Sequence, residues 1–146
     1  MNIREPGSSD IPGLVRLRNQ LWPSCYEDHA NELRSYLNGR SSHIKKIFVA
    51  GSQGELVGFI ELNIRSYAEG SSNNAVPYVE GWFVEERFRK NNIGKSLMQR
   101  AELWASENAY TELASDVEMD NIHSQEVHKR LGFLEVDKII CYIKKV

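Results

Sequence analysis

The sequence predicts an α/β domain in which one mixed sheet carries helices on its faces. Two observations support this prediction. Short runs of β-branched and aromatic residues alternate with longer segments whose apolar residues recur every three or four positions. Clusters of turn-forming residues separate these segments. The length of 146 residues is that of one domain and no internal repeat divides it, so we expect residues 1–146 to form a single domain.

In the first half of the chain, the pattern indicates two helices between a short strand and a hairpin. Asp10 is suited to cap the first helix, and Pro23 ends it, because proline disfavours helical backbone in the residue before it. The predicted elements are a strand at Asn2–Glu5, helices at Ile11–Leu21 and Glu27–Leu37, and strands at Ile44–Ala50 and Glu55–Tyr67.

The stretch from Tyr78 to Leu97 is the centre of the interpretation. It begins as a strand that ends at Val84, and from Ile93 the apolar spacing becomes helical. The turn between them carries basic and amide side chains, namely Arg87, Arg89, Lys90, Asn91 and Asn92. A helix N-terminus presents unpaired N–H groups and a positive dipole end, which predicts a site for a phosphate-bearing ligand. The alternative is an ordinary βα connection with solvated charges.

After this stretch the pattern indicates a crossover and several short elements. The central helix ends near Asn108, and a crossover helix would place the next strand parallel to the central one. The remaining predicted elements are a strand at Thr111–Asp116, a helix at Asn121–Leu131, and closing strands at Phe133–Val136 and Lys138–Tyr142.

Local charge is more informative than the net charge of −2, which gives no general reason to expect nucleic acid or an anionic membrane as a partner. Residues 87–100 contain five basic and no acidic residues, whereas residues 107–120 contain five acidic and no basic residues. We therefore expect one surface to attract an anion and a neighbouring one to attract a cation. Two solvated faces of opposite sign remain the alternative.

Other features bear on the compartment and on metal binding. Two cysteines are too few for a disulfide framework, and we expect Cys141, in an apolar run, to be a buried thiol. No apolar run approaches the ~20 residues that cross a bilayer. The first residues also lack the apolar region of a signal peptide, so we expect a soluble, cytoplasmic protein. His123 and His128 diverge on a helix and no Cys/His cluster accompanies them, so we expect no metal site.

The order of elements and two motifs resemble the GCN5-related N-acetyltransferases (GNAT). The motifs are Arg89-x-x-Asn92-x-Gly94 at the start of the central helix, and Asn121 followed by the segment His128–Phe133. Within that superfamily the chain resembles the aminoglycoside 6′-N-acetyltransferases, and the resemblance spans essentially the whole chain. The residues that carry the finer match are Leu21-Trp22-Pro23, Ile64-Arg65 with Tyr67, Val79-Glu80-Gly81, Ala114-Ser115-Asp116, Asp120-Asn121 and Leu131-Gly132-Phe133.

The resemblance implies a mostly antiparallel mixed sheet in which two parallel strands, ending near Val84 and Asp116, splay apart to admit a thioester. It implies acetyl-CoA as the acetyl donor, with its pyrophosphate on the N–H groups from Arg89 to Gly94 and its pantetheine arm along the central strand. The implied cofactor-binding residues are Trp82, Phe83, Val84, Arg89, Lys90, Asn91, Asn92, Ile93, Gly94 and Asn121. Asn92 replaces the usual glycine, and we expect it to keep the turn because asparagine tolerates left-handed backbone.

Glu80 and Asp116 are the expected catalytic carboxylates, because the resemblance places them on the two strands that flank the thioester. Either could bind a cationic amine or accept its proton, directly or through a water. The residues alone also allow each carboxylate to end a strand and pair with a nearby Lys or Arg. The resemblance adds three substrate contacts, Trp22, Tyr67 and Asp137, the last standing where relatives tend to have Glu.

His128 stands where many GNAT members have a tyrosine that protonates the departing thiolate. His128 could protonate the thiolate in its place, but we expect a histidine that merely packs and do not include it among the catalytic residues.

Three functions follow from these patterns. The first is acetylation of the 6′-amine of aminoglycosides, which confers resistance. The second is the same reaction on another amine, such as a polyamine or a protein N-terminus, because any cationic acceptor suits an acidic surface. The third is a non-catalytic module that binds CoA or the drug. A homodimer is also expected, in which the exposed final strand pairs or swaps with a partner.

Overall fold

The computed structural model describes residues 1–146 as a five-stranded sheet with four α-helices. The mixed α/β fold predicted from the sequence is confirmed. The elements in chain order are β1 (Asn2–Arg4), α1 (Ile11–Leu21), α2 (Tyr26–Leu37), β2 (Lys46–Ser52), β3 (Glu55–Arg65), β4 (Val76–Val84), α3 (Ile93–Glu107), β5 (Ala114–Ser115) and α4 (Ile122–Arg130).

The sheet has the spatial order β1-β2-β3-β4-β5, the same as the chain order. The pairs from β1 to β4 are antiparallel, whereas β5 lies parallel to β4, as the predicted crossover requires. Only two residue pairs join β4 to β5, Tyr78 with Ala114 and Val79 with Ser115. Because β4 continues to Val84, its edge beyond Val79 has no strand beside it.

Helices cover both faces of the sheet because side chains alternate between the faces along each strand. In β2, Ile47 and Val49 pack in one cluster with α1 and α2, whereas Phe48 and Ala50 pack in a second cluster with α3. The apolar stripe predicted for α3 is buried, and its members are Ile93, Leu97, Ala101, Trp104 and Ala105. This packing fixes α3 against β4 and so holds the turn at the start of α3 in place.

The two closing strands predicted at Phe133–Val136 and Lys138–Tyr142 are absent, and that prediction is wrong. No helix or strand is formed from Phe133 to Val146. A strand is stabilised by pairing with a neighbour, and the available neighbour at this edge, β5, is only two residues long. The apolar side chains of the segment are therefore exposed, for example Ile140 at 79% and Ile143 at 95%. Cys141 is exposed too, so the prediction of a buried thiol is wrong.

Smaller differences have local causes. Two short 3-10 turns, Ser8–Asp10 and Glu86–Phe88, were not predicted. Asp10 precedes α1 but does not cap it with its side chain; instead its carboxylate accepts two hydrogen bonds from Arg4, at 2.7 and 2.9 Å. No helix of the structure has both the length and the apolar character that a membrane span needs.

Trp22, the residue after α1, packs directly over β4. Its ring meets Phe59 edge-on with centroids 6.1 Å apart. A Cβ atom built on Gly81 would overlap the Trp22 ring. Gly81 therefore lets the indole approach the strand, which places Trp22 beside the neighbouring Glu80.

The substitution Gly81→Ala should destabilise the protein by about 1–3 kcal/mol, because the added methyl group displaces a packed indole. Urea unfolding followed by tryptophan fluorescence would measure the loss. Gly7→Ala is the matched control, since no atom lies within 4 Å of a Cβ at that position. Equal unfolding midpoints for the two variants would show that the Trp22 contact does not constrain residue 81.

Candidate active site

Glu80 occupies a bulge in β4 at the point where β5 leaves the sheet. Opposite it on β3, Glu61 pairs with Gly81 and Leu62 pairs with Val79, so Glu80 is the extra residue. A bulge leaves its residue without a ladder partner and redirects the side chain. Glu80 is half-buried and follows the last residue of β4 that pairs with β5.

The two predicted carboxylates are joined by a chain of contacts. Arg65 donates two hydrogen bonds to Glu80, from Nε to Oε1 at 2.8 Å and from a terminal nitrogen to Oε2 at 2.7 Å. The same guanidinium lies 3.6 Å from the centroid of the Tyr78 ring. The Tyr78 hydroxyl donates to Asp116 Oδ2 at 3.1 Å. Glu80 is thus paired with an arginine, as the alternative allowed, whereas Asp116 forms no ion pair.

Burial, together with the charge of Asp116, raises the pKa of Tyr78 to about 12. The hydroxyl therefore stays protonated at neutral pH and remains a donor to Asp116. The structure brings Glu80 and Asp116 into one network, although they lie 36 positions apart in the sequence.

A cavity of about 580 Å³ opens beside Glu80, which is a volume typical of small-molecule sites. Trp22 forms part of its wall, and the charged residues that line it are Asp28, Glu32, Glu61, Glu80, Arg18 and Arg65. Carboxylates outnumber guanidinium groups, so the cavity favours a cationic ligand. A second cavity, of about 600 Å³ beside the β2–β3 turn, contains none of the predicted site residues.

A buried polar network forms the floor of this cavity. Arg18 contacts Glu61 at 3.1 Å, Glu32 at 2.7 Å and His29 Nδ1 at 3.2 Å. Because an arginine only donates, His29 Nδ1 is the acceptor, and its Nε2–H donates to the carbonyl oxygen of Trp22 at 2.9 Å. The network therefore connects the floor of the cavity to the backbone of Trp22.

Burial raises the pKa of Glu61 to about 7, while the charge of Arg18 opposes the shift. This network is not predicted from the sequence, because Arg18 and Glu61 lie 43 positions apart. A charged residue in the otherwise apolar stripe of α1 was the only available signal.

The turn before α3 has the form of an anion site. Asn92 adopts left-handed backbone with φ 61° and ψ 10°, which confirms that it keeps the turn in place of glycine. Lys90 is also left-handed, with φ 65°. The N–H groups from Lys90 to Lys95 donate to no backbone acceptor in the chain. They lie at the positive end of α3, so the predicted residues fit a phosphate group.

The predicted pantetheine edge is available as well. Trp82, Phe83 and Val84 pair with β3 on one side and have no strand on the other. The Trp82 indole donates to Gly94 O at 3.1 Å and Arg89 Nε donates to Val84 O at 2.8 Å, so two side chains join the end of β4 to the turn. An extended ligand could add to this edge as a further strand does.

Asn121 and His128 both have structural roles in α4. Asn121 caps the helix by accepting from Ser124 N at 3.1 Å, which leaves its Nδ2 group available to a ligand. His128 is buried between the rings of Trp82 and Phe133. Its Nδ1–H donates to Ser124 O at 2.7 Å, so Nε2 accepts from the Ser115 hydroxyl at 2.9 Å. His128 is therefore packed, as expected, and its exclusion from the catalytic residues stays a prediction.

Asp116, Tyr67 and Asp137, the other three predicted substrate contacts, do not line the cavity. Asp116 is exposed and is joined to Glu80 only through Tyr78 and Arg65. Tyr67 follows β3 and is 67% exposed. Asp137 lies in the exposed C-terminal segment, and its carboxylate accepts the neighbouring Lys138 N–H at 2.8 Å. Their contact with a substrate stays a prediction.

Comparison with known sequences identifies one family. The sequence model of the Acetyltransferase (GNAT) family matches residues 11–133. An aminoglycoside N(6')-acetyltransferase type 1 from Klebsiella aerogenes is 34% identical over 145 residues, which cover 97% of this chain and 95% of that relative. The enzyme of the same name from Serratia marcescens is 35% identical over 137 residues, 92% of each chain.

Solved structures show the same relation. AAC(6')-Iy in complex with the bisubstrate analog CoA-S-monomethyl-acetylneamine superposes with a TM-score of 0.89 and 31% identity, and the match covers 99% of this chain and 98% of that chain. The aminoglycoside 6'-N-acetyltransferase AAC(6')-IG from Acinetobacter haemolyticus gives a TM-score of 0.88 with 30% identity, over 100% and 99% of the two chains. Both likenesses extend over essentially the whole fold.

The raised pKa of Glu61 predicts how stability changes with pH. Its pKa is about 7 in the folded state against 4.5 for the free group, so folding binds a proton. The stabilisation is complete below pH 4.5 and is lost as the pH rises through about 7. Relative to Glu61→Gln, the wild type should lose up to roughly 3 kcal/mol of unfolding free energy over this interval.

Urea unfolding of both proteins at several pH values would measure this difference. Glu27→Gln is a control, because that carboxylate is exposed and pairs only with Arg34, at 3.6 Å. A stability difference between wild type and Glu61→Gln that stays constant with pH would show that Glu61 keeps its ordinary ionisation.

Proposed function

The chain belongs to the acetyltransferase (GNAT) family, and we propose that it transfers the acetyl group of acetyl-CoA to the 6′-amino group of aminoglycoside antibiotics, which confers resistance. The relatives of this name match it over nearly their full length. We also propose that it acts in the cytoplasm, since its two cysteines are unpaired, as is usual in a reducing compartment.

The chain offers a suitable site for acetyl-CoA. The unpaired N–H groups from Lys90 to Lys95 would hold the pyrophosphate, and the free edge of Trp82–Val84 would pair with the pantetheine arm. Asn121 Nδ2 would add a hydrogen bond. Acetyl-CoA supplies the acetyl group as a thioester. An N–H group near Val84 would stabilise the carbonyl oxygen as it gains charge.

The acidic cavity is suited to the acceptor, which is a polycation at neutral pH. Trp22 offers an apolar wall beside Glu80 of β4, and Asp116 follows β5 where the two strands separate. Attack requires a neutral amine, so a carboxylate must take a proton from it directly or through a water. Holding the amine beside the thioester can supply roughly 7–11 kcal/mol through effective molarity.

One observation carries this proposal: β4 continues five residues beyond its pairing with β5. The released edge leads from Glu80 to the turn with the unpaired N–H groups. A cationic acceptor and an anionic donor would therefore approach the same strand from regions of opposite charge.

We expect the protein to release thiol from acetyl-CoA in the presence of aminoglycosides that carry a 6′-amine. An analogue with a hydroxyl group at that position should give no turnover, because a hydroxyl is a weaker nucleophile toward the thioester. A thiol-release assay over a panel that includes a polyamine and an N-terminal peptide would test both points. Normal turnover of the hydroxyl analogue would refute the 6′ assignment, and turnover of the polyamine alone would change the acceptor class.

The variants Glu80→Ala and Asp116→Ala belong in the same assay. Each should lower kcat/KM by about tenfold or more, which is typical of positioned acid–base groups. Glu118→Ala is a suitable control, since this exposed carboxylate lies in the same acidic stretch but takes no part in the contacts that join Glu80, Arg65, Tyr78 and Asp116. Wild-type rates in Glu80→Ala or Asp116→Ala would remove that residue from the site.

We further propose that the protein is a homodimer in which the C-terminal segment of each copy covers the other. The segment Leu134–Val146 exposes seven large apolar side chains, and the sequence of Lys138–Tyr142 is that of a strand. β5 is an edge strand whose outer side is unpaired. Exposed apolar side chains and a free sheet edge are both surfaces that pair readily with a second copy.

Sedimentation velocity should give twice the monomer mass for the wild type. The double variant Ile140→Asp with Ile143→Asp should be a monomer, because an interface would bury two unpaired charges. Lys145→Glu is the control for altered charge in the same segment. A monomeric wild type at micromolar concentration would contradict the dimer.

A further inference from the structure

Arg65 is the one cation in direct contact with a predicted catalytic carboxylate. It ends β3, and its two hydrogen bonds to Glu80 reach across the bulge of β4. Its pKa is raised, chiefly by the hydrogen bond to Glu80, so the guanidinium is charged at all relevant pH values. By pairing with Glu80, Arg65 cancels one negative charge of a cavity that must receive a polycation, which calls for a separate explanation.

Stability does not supply that explanation. The Arg65 side chain is 39% exposed, and ion pairs in contact with solvent contribute little to folding. The geometry is nevertheless specific, because a bidentate pair fixes both groups in one plane. Arg65 is also held on its other face by the ring of Tyr78, at 3.6 Å. Such a pair orients the carboxylate more than it stabilises the fold.

The contacts of Arg65 reach both strands of the separating pair. Through Glu80 it touches β4, and through Tyr78 it connects to Asp116, which follows β5. Both oxygens of Glu80 accept from Arg65, so this carboxylate is already neutralised. Asp116 accepts only from a hydroxyl, at Oδ2, and its Oδ1 has no hydrogen-bond partner in the chain.

We propose, building on the function above, that Arg65 is a positioning residue which fixes Glu80 as a hydrogen-bond acceptor and leaves Asp116 as the carboxylate that takes the proton of the acceptor amine. In the proton step, the ammonium group of the acceptor loses one proton to Asp116 and becomes a neutral amine. Because Arg65 neutralises Glu80, this carboxylate does not form a tight ion pair with the ammonium group of the acceptor. The two carboxylates therefore have different tasks.

Three changes at Arg65 test the positioning role in the thiol-release assay. Arg65→Ala should lower kcat/KM for the aminoglycoside by about tenfold or more while the KM for acetyl-CoA stays within about twofold. Arg65→Lys should recover only part of the loss, because an ammonium group cannot make the planar bidentate pair. Millimolar guanidinium should raise the rate of Arg65→Ala several-fold, since the site is partly open to solvent.

Arg34→Ala is the matched control, since Arg34 is 50% exposed and pairs with Glu27 outside the site. It should keep wild-type kinetics and show no response to guanidinium. Wild-type kcat/KM in Arg65→Ala would overturn the proposal. So would a loss that accompanies a matching fall in the unfolding midpoint and that neither Lys nor guanidinium relieves.

The different tasks of Glu80 and Asp116 can be tested separately, by comparing the kcat of two variants. Glu80→Gln keeps an acceptor oxygen for Arg65, whereas Asp116→Asn removes the proton acceptor, so Asp116→Asn should lose the larger share of kcat. Equal losses would refute the division of tasks. A wild type without turnover on any aminoglycoside would instead refute the function itself, and that outcome is visible before any variant is measured.

Discussion

The early separation of β5 from β4 is the constraint on which the rest of this structure depends. Two residue pairs join the strands, and beyond Val79 the edge of β4 is free. His128 of α4 contacts both strands where they separate. It accepts from the Ser115 hydroxyl after the last pair of β5, and its ring meets that of Trp82 in β4 edge-on. The Trp82 indole also donates to Gly94, so the free part of β4 is joined to the start of α3 as well.

The cavity beside Glu80 depends on a second local irregularity, the bulge that this residue forms in β4. Without the extra residue, the alternation of side chains along β4 would be shifted by one beyond this point. The adjacent Gly81 then admits the Trp22 ring against the strand. The Glu80 carboxylate and the Trp22 ring lie side by side for two reasons. Glu80 has no partner on β3, and Gly81 has no side chain to keep the ring away.

The sequence predicts those features whose causes lie within one segment. The stripe of α3, the tolerance of Asn92 for left-handed backbone and the crossover to β5 all follow from local chemistry, and the structure agrees. The Arg65–Glu80 pair depends on the register of two strands across a bulge, which no single segment encodes. The closing strands fail for the same reason: their apolar pattern is correct for a strand, but the pattern does not reveal whether another strand pairs with them.

The buried ion pair of Arg18 and Glu61 beneath the cavity contributes to the geometry of the cavity more than to the stability of the fold. Taking Arg18 and Glu61 out of water costs several kcal/mol for each ion, and apolar residues of the same volume commonly pack with equal or greater stability. The raised pKa of Glu61 shows that its pairing with Arg18 does not fully offset the burial. Yet both ends of the network reach the cavity, Glu32 directly and Trp22 through His29. The buried charges therefore fix the floor of the cavity in position, at a cost in stability that an apolar core would avoid.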